Sequence, residues 1–304
     1  MKYIISGCTG CIGVSLIKKL GFEENQLTVI LNPGSKRNTV IESNNDLLIF
    51  YEKLGKYANI DLQEKQDVFI HMAWDGGLSR DDFEKNQLSS FATIDALTLA
   101  HRLGCQKFIS IGSQAEYGIS NQVITEKLEC LPESEFGIAK LNTYFRLRSK
   151  ARALGIEMTW LRVLSAYGPF DRRSSMLMST IDKLLKGADI SLSDCEHKWD
   201  FLHSDDIADA IISLSTTMMT RDLYVIGSDD NFILKDYIRE LIKGFDVKER
   251  EIFGKFNNGY QNLVNLQSDS TLLRTDIGWE PKISFSKGIK DLILHEREKR
   301  NMLT

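Results

Sequence analysis

No stretch of this chain stays apolar for the roughly 20 residues that a membrane-spanning helix needs. The run Tyr3-Ile4-Ile5 behind Met1-Lys2 is too brief for the core of a signal peptide, so a cytoplasmic protein without a membrane role is expected. Basic excess is missing too. A net charge of -4 and a pI near 5.8 give no footprint for nucleic acid, and Lys36-Arg37 suffices for a single phosphate at most. The cysteines are five, an odd number, and Cys8, Cys11, Cys105, Cys130 and Cys195 are scattered, which excludes a disulfide framework. There is no internal repeat or low-complexity tract.

What is present is an alternation of short apolar runs with helical patterns. That rhythm predicts an α/β fold, a Rossmann-type doubly wound parallel sheet. Strands are expected at 2–6, 26–31, 67–73, 107–111, 158–164 and 222–226. Residues 45–51 suit either a strand or the opening of a helix. Helices are expected at 12–20, 82–103, 136–154 and 205–216. After Gly168 the rhythm changes. Residues 169–200 read as a loop and a helix followed by a short strand near Asp189–Leu192. Residues 230–304 hold helices at 234–245 and 286–300 around a polar middle. The expected division is a dinucleotide-binding domain of 1–168 plus about 201–229, and a smaller discontinuous C-terminal substrate lobe of about 169–200 plus 230–304. Ligands of such sheets sit beyond the carboxyl ends of the strands.

Gly7-Cys8-Thr9-Gly10-Cys11-Ile12-Gly13 follows the first strand and opens the first helix. Gly7 permits the tight turn, Gly10 lets the backbone approach a pyrophosphate, and Gly13 lets helix pack on strand. The helix N-terminus then offers unpaired N–H groups to phosphate. Gly7, Thr9, Gly10, Cys11, Ile12 and Gly13 are therefore candidate cofactor contacts. Cys8-x-x-Cys11 also fits a redox or metal pair, but no second Cys pair or His cluster completes a metal site, and the two read as small loop fillers. The second strand runs into Leu31-Asn32-Pro33-Gly34-Ser35-Lys36-Arg37 with no acid for a ribose hydroxyl. Asn32, Lys36 and Arg37 thus favour NADP(H) over NAD(H). A solvated basic turn is the competing reading for each cation.

Together the segments resemble the extended short-chain dehydrogenase/reductase family, in its nucleotide-sugar (NAD-dependent epimerase/dehydratase) branch. The glycine loop is similar to G-x-x-G-x-x-G. Asp67-Val68-Phe69-Ile70-His71-Met72-Ala73 looks like the strand ending in H-x-A, with backbone at Ala73 beside the cofactor. Ser110-Ile111-Gly112-Ser113-Gln114-Ala115-Glu116-Tyr117-Gly118 resembles the catalytic-serine segment. The run from Leu161 through Leu164 and Ser165 to Pro169 matches the strand passing the nicotinamide. Trp199-Asp200-Phe201-Leu202-His203-Ser204-Asp205-Asp206 resembles R-D-F-x-H-x-x-D, and Ile277-Gly278-Trp279-Glu280-Pro281 resembles L-G-W-x-P. The match runs in order from residue 2 to about 295.

The resemblance implies a Ser/Tyr/Lys set in which Tyr moves the proton, Lys lowers the Tyr pKa and binds ribose, and Ser bonds the reacting oxygen. Ser113 and Lys140 occupy two of these positions. The third, inside Pro132-Glu133-Ser134-Glu135-Phe136-Gly137-Ile138-Ala139-Lys140, is Phe136. Three explanations stand open: an engineered Tyr→Phe change that stalls turnover, a natural loss in a binding protein, or transfer of the proton role to Tyr117 or Glu116.

Family dehydratases carry Thr-Asp-Glu where this chain has Ser113-Gln114-Ala115, so a dehydratase is not expected. The reading is NADPH-dependent reduction of a nucleotide-linked 4-keto-6-deoxyhexose, with a 4-epimerase and a non-catalytic NADP(H)-binding sensor as rivals. Candidate substrate contacts are Trp74, Gln114, Ser165, Arg172 and Trp199, while Arg173 reads equally as an exposed loop residue. Trp199 stands where the family has Arg, which puts a diphosphate role there in doubt. His71 and His203 read as structural. Relatives pair two helices across a two-fold axis. Here 82–103 (Phe91, Ile94, Leu97) and 136–154 (Leu141, Tyr144, Phe145) are expected to form a homodimer.

Overall fold

The computed structural model describes residues 1–75, 80–218, 221–255 and 265–301. The chain runs β1 (Lys2–Ser6), α1 (Cys11–Leu20), β2 (Gln26–Leu31), α2 (Thr39–Glu42), β3 (Leu48–Tyr51), β4 (Val68–His71), α3 (Phe83–Arg102), β5 (Lys107–Ser113) and α4 (Glu135–Leu154). It continues through β6 (Glu157–Val163), β7 (Ser165–Tyr167), α5 (Met176–Lys186), β8 (Phe201–His203), α6 (Ser204–Thr216) and β9 (Leu223–Ile226). The last elements are α7 (Leu234–Ile242), α8 (Glu249–Ile252), α9 (Thr271–Ile277) and α10 (Phe285–Asn301).

Seven strands form one sheet in the order β3-β2-β1-β4-β5-β6-β9, and every neighbouring pair is parallel. The strands read as continuous apolar runs because both faces are covered. Tyr3, Ile5, Val29 and Ile70 pack under α1 and α6 on one face. Ile4, Phe69, Phe108 and Trp160 pack under α3 and α4 on the other. The chain winds outward from β1 to β3 and then returns to β4 on the far side of β1, which opens a crevice at the carboxyl ends between them.

Helix starts follow local chemistry. Asp82 accepts the Lys85 N–H to cap α3, Ser134 accepts the Gly137 N–H to cap α4, and Ser175 accepts the Met178 N–H to cap α5. Within 45–51 only Leu48–Tyr51 form a strand, with Thr28 to Leu31 of β2 registered on Leu48 to Tyr51.

Two expectations are corrected. Residues 189–192 form no strand: Leu192 exchanges single backbone bonds with Ile252 and Lys255, and no neighbour among the described residues supplies a ladder. A separate short parallel pair, β7 and β8, lies where the two expected domains meet. An apolar cluster joins α5, β8, α7 and α10 through Ile181, Phe201, Tyr237 and Ile289. On the outer helices, Leu97 and Tyr144 turn into the subunit, whereas Phe91 and Phe145 are 59% and 55% exposed. Phe83, Leu88 and Ile138 extend that exposed apolar face.

Candidate active site

The carboxyl ends of β1, β4, β5 and β6 open onto one cleft of about 1020 Å³ that runs from the glycine loop to Trp199. At its first end, Gly7 has φ 77°, and a Cβ there would lie 2.5 Å from the backbone of Met72 and Ala73. A Cβ on Gly13 would lie 2.4 Å from the Cys8 Cα. Both positions therefore admit only glycine, whereas Gly10 has nothing nearer than 3.6 Å and leaves its side of the loop open. Gly10 caps α1 without a side-chain bond, so the first-turn amides are left for an anion. This cradle fits the pyrophosphate of a dinucleotide. Cys8 is buried behind it, and burial pushes its thiol up to about 12, which suits a filler and not a nucleophile.

Thr9 is half-buried within the same loop, and Ala73 reaches the site through its backbone against Gly7. Asn32 and Lys36 are exposed and do not line the cleft. The Asn32 carbonyl instead accepts from Asn38 within the turn. Arg37 does reach the cleft, and its guanidinium donates to the Phe170 carbonyl at 2.5 Å from across the opening.

Ser113 ends β5. Its Oγ accepts the Ala115 N–H and donates to Gln114 Oε1 at 3.4 Å. Lys140, on the second turn of α4, is 6% exposed and donates from Nζ to the Ile111 carbonyl at 2.6 Å. Three aromatic rings surround its ammonium: Trp74 at 3.8 Å to the ring centre, Trp160 at 5.5 Å and Phe136 at 5.8 Å. Burial pushes Lys140 down to about 7, and the Glu116 carboxylate opposes that fall. Phe136 donates its backbone N–H to the Arg80 carbonyl at 2.8 Å, and its ring meets Trp74 edge-on at 6.0 Å. Trp74 is tied by its Nε1–H to Asn86.

Glu116 and Tyr117 are both closed off from the cleft. Glu116 is wholly buried and accepts from Trp160 and Arg162. The Tyr117 hydroxyl accepts from Arg162 and donates to the Thr125 carbonyl, each at 2.9 Å. Neither is placed to move a substrate proton.

Trp74, Gln114, Ser165, Arg172 and Trp199 all line the cleft, together with Leu164. Arg173 turns away and pairs with Glu296. His71 is buried between Ser6 and Thr93, and His203 accepts the Asp205 N–H at the start of α6. Arg80 and His197 line the cleft without any motif having marked them, and Tyr167, from the run that ends in Pro169, lines it too. His197 sets its ring edge-on to Trp199 at 5.6 Å, and neither His197 Nδ1 nor Trp199 Nε1 has a hydrogen-bond partner among the described residues.

The chain resembles proteins that perform several reactions. The dTDP-4-dehydro-6-deoxyglucose reductase of Escherichia coli is 22% identical over 306 residues, covering 95% of this chain and 96% of the relative. The dTDP-glucose 4,6-dehydratase of the same organism is 21% identical over 340 residues, covering 96% and 92%. The UDP-glucose 4-epimerase of Thermotoga maritima, solved with UDP-glucose, has the same fold, with a TM-score of 0.84 at 22% identity over 98% of this chain and 99% of that one. The model of the NAD dependent epimerase/dehydratase family matches residues 3–227. The chain belongs to that family, the nucleotide-sugar branch of the extended short-chain dehydrogenases/reductases, and its cofactor is a nicotinamide dinucleotide.

Proposed function

We propose that this chain binds NADPH and a dTDP- or CDP-linked 4-keto-6-deoxyhexose, in a site built to reduce the 4-keto group, and that Phe136 withholds the proton that completes the reaction. One observation carries the reading: the turn after β5 presents Ser113 and Gln114 to the cleft but no carboxylate, because Glu116 lies sealed behind it. The family's dehydratases, by the resemblance, carry an Asp-Glu pair at that turn to remove the proton and expel water. Adding hydride to a carbonyl requires a hydrogen-bond donor to the oxygen and one proton. The likeness to the Escherichia coli reductase over nearly the whole chain supports the same reaction class.

Residues 1–168 plus about 201–229 hold the cofactor, and about 169–200 plus 230–304 hold the sugar nucleotide. When bound, the reduced nicotinamide supplies hydride to the keto carbon. Gly7, Gly10 and the first amides of α1 hold the pyrophosphate, and Arg37 takes the 2′-phosphate. Ser113 donates from Oγ to the reacting oxygen, and Gln114 orients the sugar. The rings of His197 and Trp199 border the substrate, and Arg172 takes its diphosphate. Phe136 offers no hydroxyl, so proton delivery falls to water. A positioned general acid contributes about 10²–10⁴-fold, and the chain as written is slower by that order. It still binds both ligands, because the absent hydroxyl serves the transition state more than the ground state.

The test is Phe136→Tyr, assayed by NADPH consumption against a panel of nucleotide 4-keto sugars. The expected result is a gain of about two orders of magnitude or more with little change in NADPH affinity. A flat response across the panel defeats the reductase reading and favours a sensor. Interconversion of sugars without added cofactor favours an epimerase.

A further inference from the structure

Behind Ser113 lies a buried ion pair for which the reduction scheme has no use. Glu116 is 0% exposed and Arg162 is 2% exposed, and the Arg162 Nε–H meets the carboxylate at 2.6 Å. Such a pair adds little net stability, since desolvating two charges offsets most of their attraction. What this one does accomplish is visible in its other bonds. Glu116 also accepts the Ser113 backbone N–H at 2.8 Å and the Trp160 Nε1–H at 3.0 Å. On the other side of Trp160 stands the Lys140 ammonium, which holds the Ile111 carbonyl. The end of β5 is thus gripped twice, by Lys140 at Ile111 and by Glu116 at Ser113.

We infer that Glu116 is a positioning residue with two tasks: it fixes the Ser113 backbone, and across Trp160 it holds its carboxylate as the counter-charge to the Lys140 ammonium beside the cleft. This deepens the proposed function, on which the importance of Ser113 and Lys140 rests. The charges support it. Lys140 is faced by His71 from β4 and by Glu116 from the turn after β5, whose carboxylate also pairs with Arg162 from β6, and the rings of Trp74, Phe136 and Trp160 stand around it. Burial and the nearby Lys140 charge push His71 down to about 3, so it contributes no charge at neutral pH. That leaves two buried cations sharing one carboxylate. Without the carboxylate, one cation must give up its proton, and a guanidinium does not. Lys140 is the group that yields.

The experiment reads Lys140 directly, with neither cofactor nor substrate present, so its outcome is independent of which reaction the site performs. The full chain is acylated briefly with acetic anhydride across a pH series, and the Lys140 peptide is quantified by mass spectrometry against the exposed lysines. Glu116→Gln keeps the shape of the side chain and removes its charge. The expected result is a Lys140 midpoint lower by about one to three pH units. A purely structural role predicts the opposite, because a loosened site lets water in and raises the midpoint toward that of a free lysine. Should Glu116→Gln not fold, the carboxylate is removed in an Arg162→Gln background, where no buried guanidinium is left unpaired, and the midpoint must again fall relative to Arg162→Gln alone. An unchanged or raised midpoint in a folded protein overturns the proposal.

Discussion

The Lys140 ammonium lies 3.8 Å from the centre of the Trp74 indole. A cation held over a Trp face in a desolvated site gains about 2 kcal/mol or more, against about 0.5–1 at the surface. The contact joins the strand-β4 loop to α4 within a single site. A double-mutant cycle of Trp74→Ala and Lys140→Met, followed by chemical denaturation at pH 6, is expected to give a coupling of about 1–2 kcal/mol. Additive effects of the two changes would show that the contact carries no energy.

The burial of Lys140 also sets a pH dependence. Its folded value is pushed down to about 7 from an ordinary 10.5. Between those values the unfolded chain binds more protons than the folded one, so stability rises with pH there. Below about 7 the cost of burying the charge is fully present. Lys140→Met is therefore expected to stabilise the fold most below pH 7, with the advantage shrinking by about 1.4 kcal/mol per pH unit above it. Urea midpoints of both proteins across pH 6–10 check this, and an advantage independent of pH contradicts it.

A second copy of the chain is expected on the face formed by α3 and α4. Phe83, Leu88 and Phe91 on α3, with Ile138 and Phe145 on α4, are large apolar side chains left exposed on these two helices, and contiguous exposed apolar patches mark interaction surfaces. Light scattering at micromolar concentration should report a dimer, and Phe91→Asp with Phe145→Asp should convert it to a monomer. A monomeric mass for the unaltered chain removes the dimer from consideration.

For the cofactor, NADPH is expected to bind more tightly than NADH, with the preference resting on Arg37. Losing one hydrogen bond to a charged group costs about 1.5–3 kcal/mol, so Arg37→Ala should weaken NADPH by about tenfold or more and leave NADH nearly unchanged. Lys36→Ala should do less, since Lys36 does not line the cleft. Fluorescence titration showing equal or stronger NADH binding by the unaltered chain would reverse this assignment.

Apart from β3, the large sheet was readable from the chain because its strands are apolar runs bounded by turns, and the glycine loop because sterics leave Gly7 and Gly13 no substitute. What escaped depends on long-range partners. The strands β7 and β8 are three residues each and exist only through pairing with one another. Ile190 and Leu192 alternate like a strand, yet no ladder forms beside them among the described residues, and a period of two is not enough by itself. The Glu116–Arg162 pair spans 46 positions, so neither residue announces the other. His197 entered the cleft through burial beside Trp199 and not through any pattern.

Arg37 reaches across the opening to hold the Phe170 carbonyl, and Phe170 sits at a φ of 66°, a conformation that a bulky residue adopts only under constraint. The N–H that holds this carbonyl cannot at the same moment serve a phosphate. The guanidinium has four other N–H groups, but a cofactor phosphate that took this one would free the turn leading to Arg172, and the two ends of the cleft would then be energetically linked. Linkage of this kind runs both ways. The factor by which a bound dinucleotide alters affinity for the sugar nucleotide must return, unchanged, as the factor by which the sugar nucleotide alters affinity for the dinucleotide.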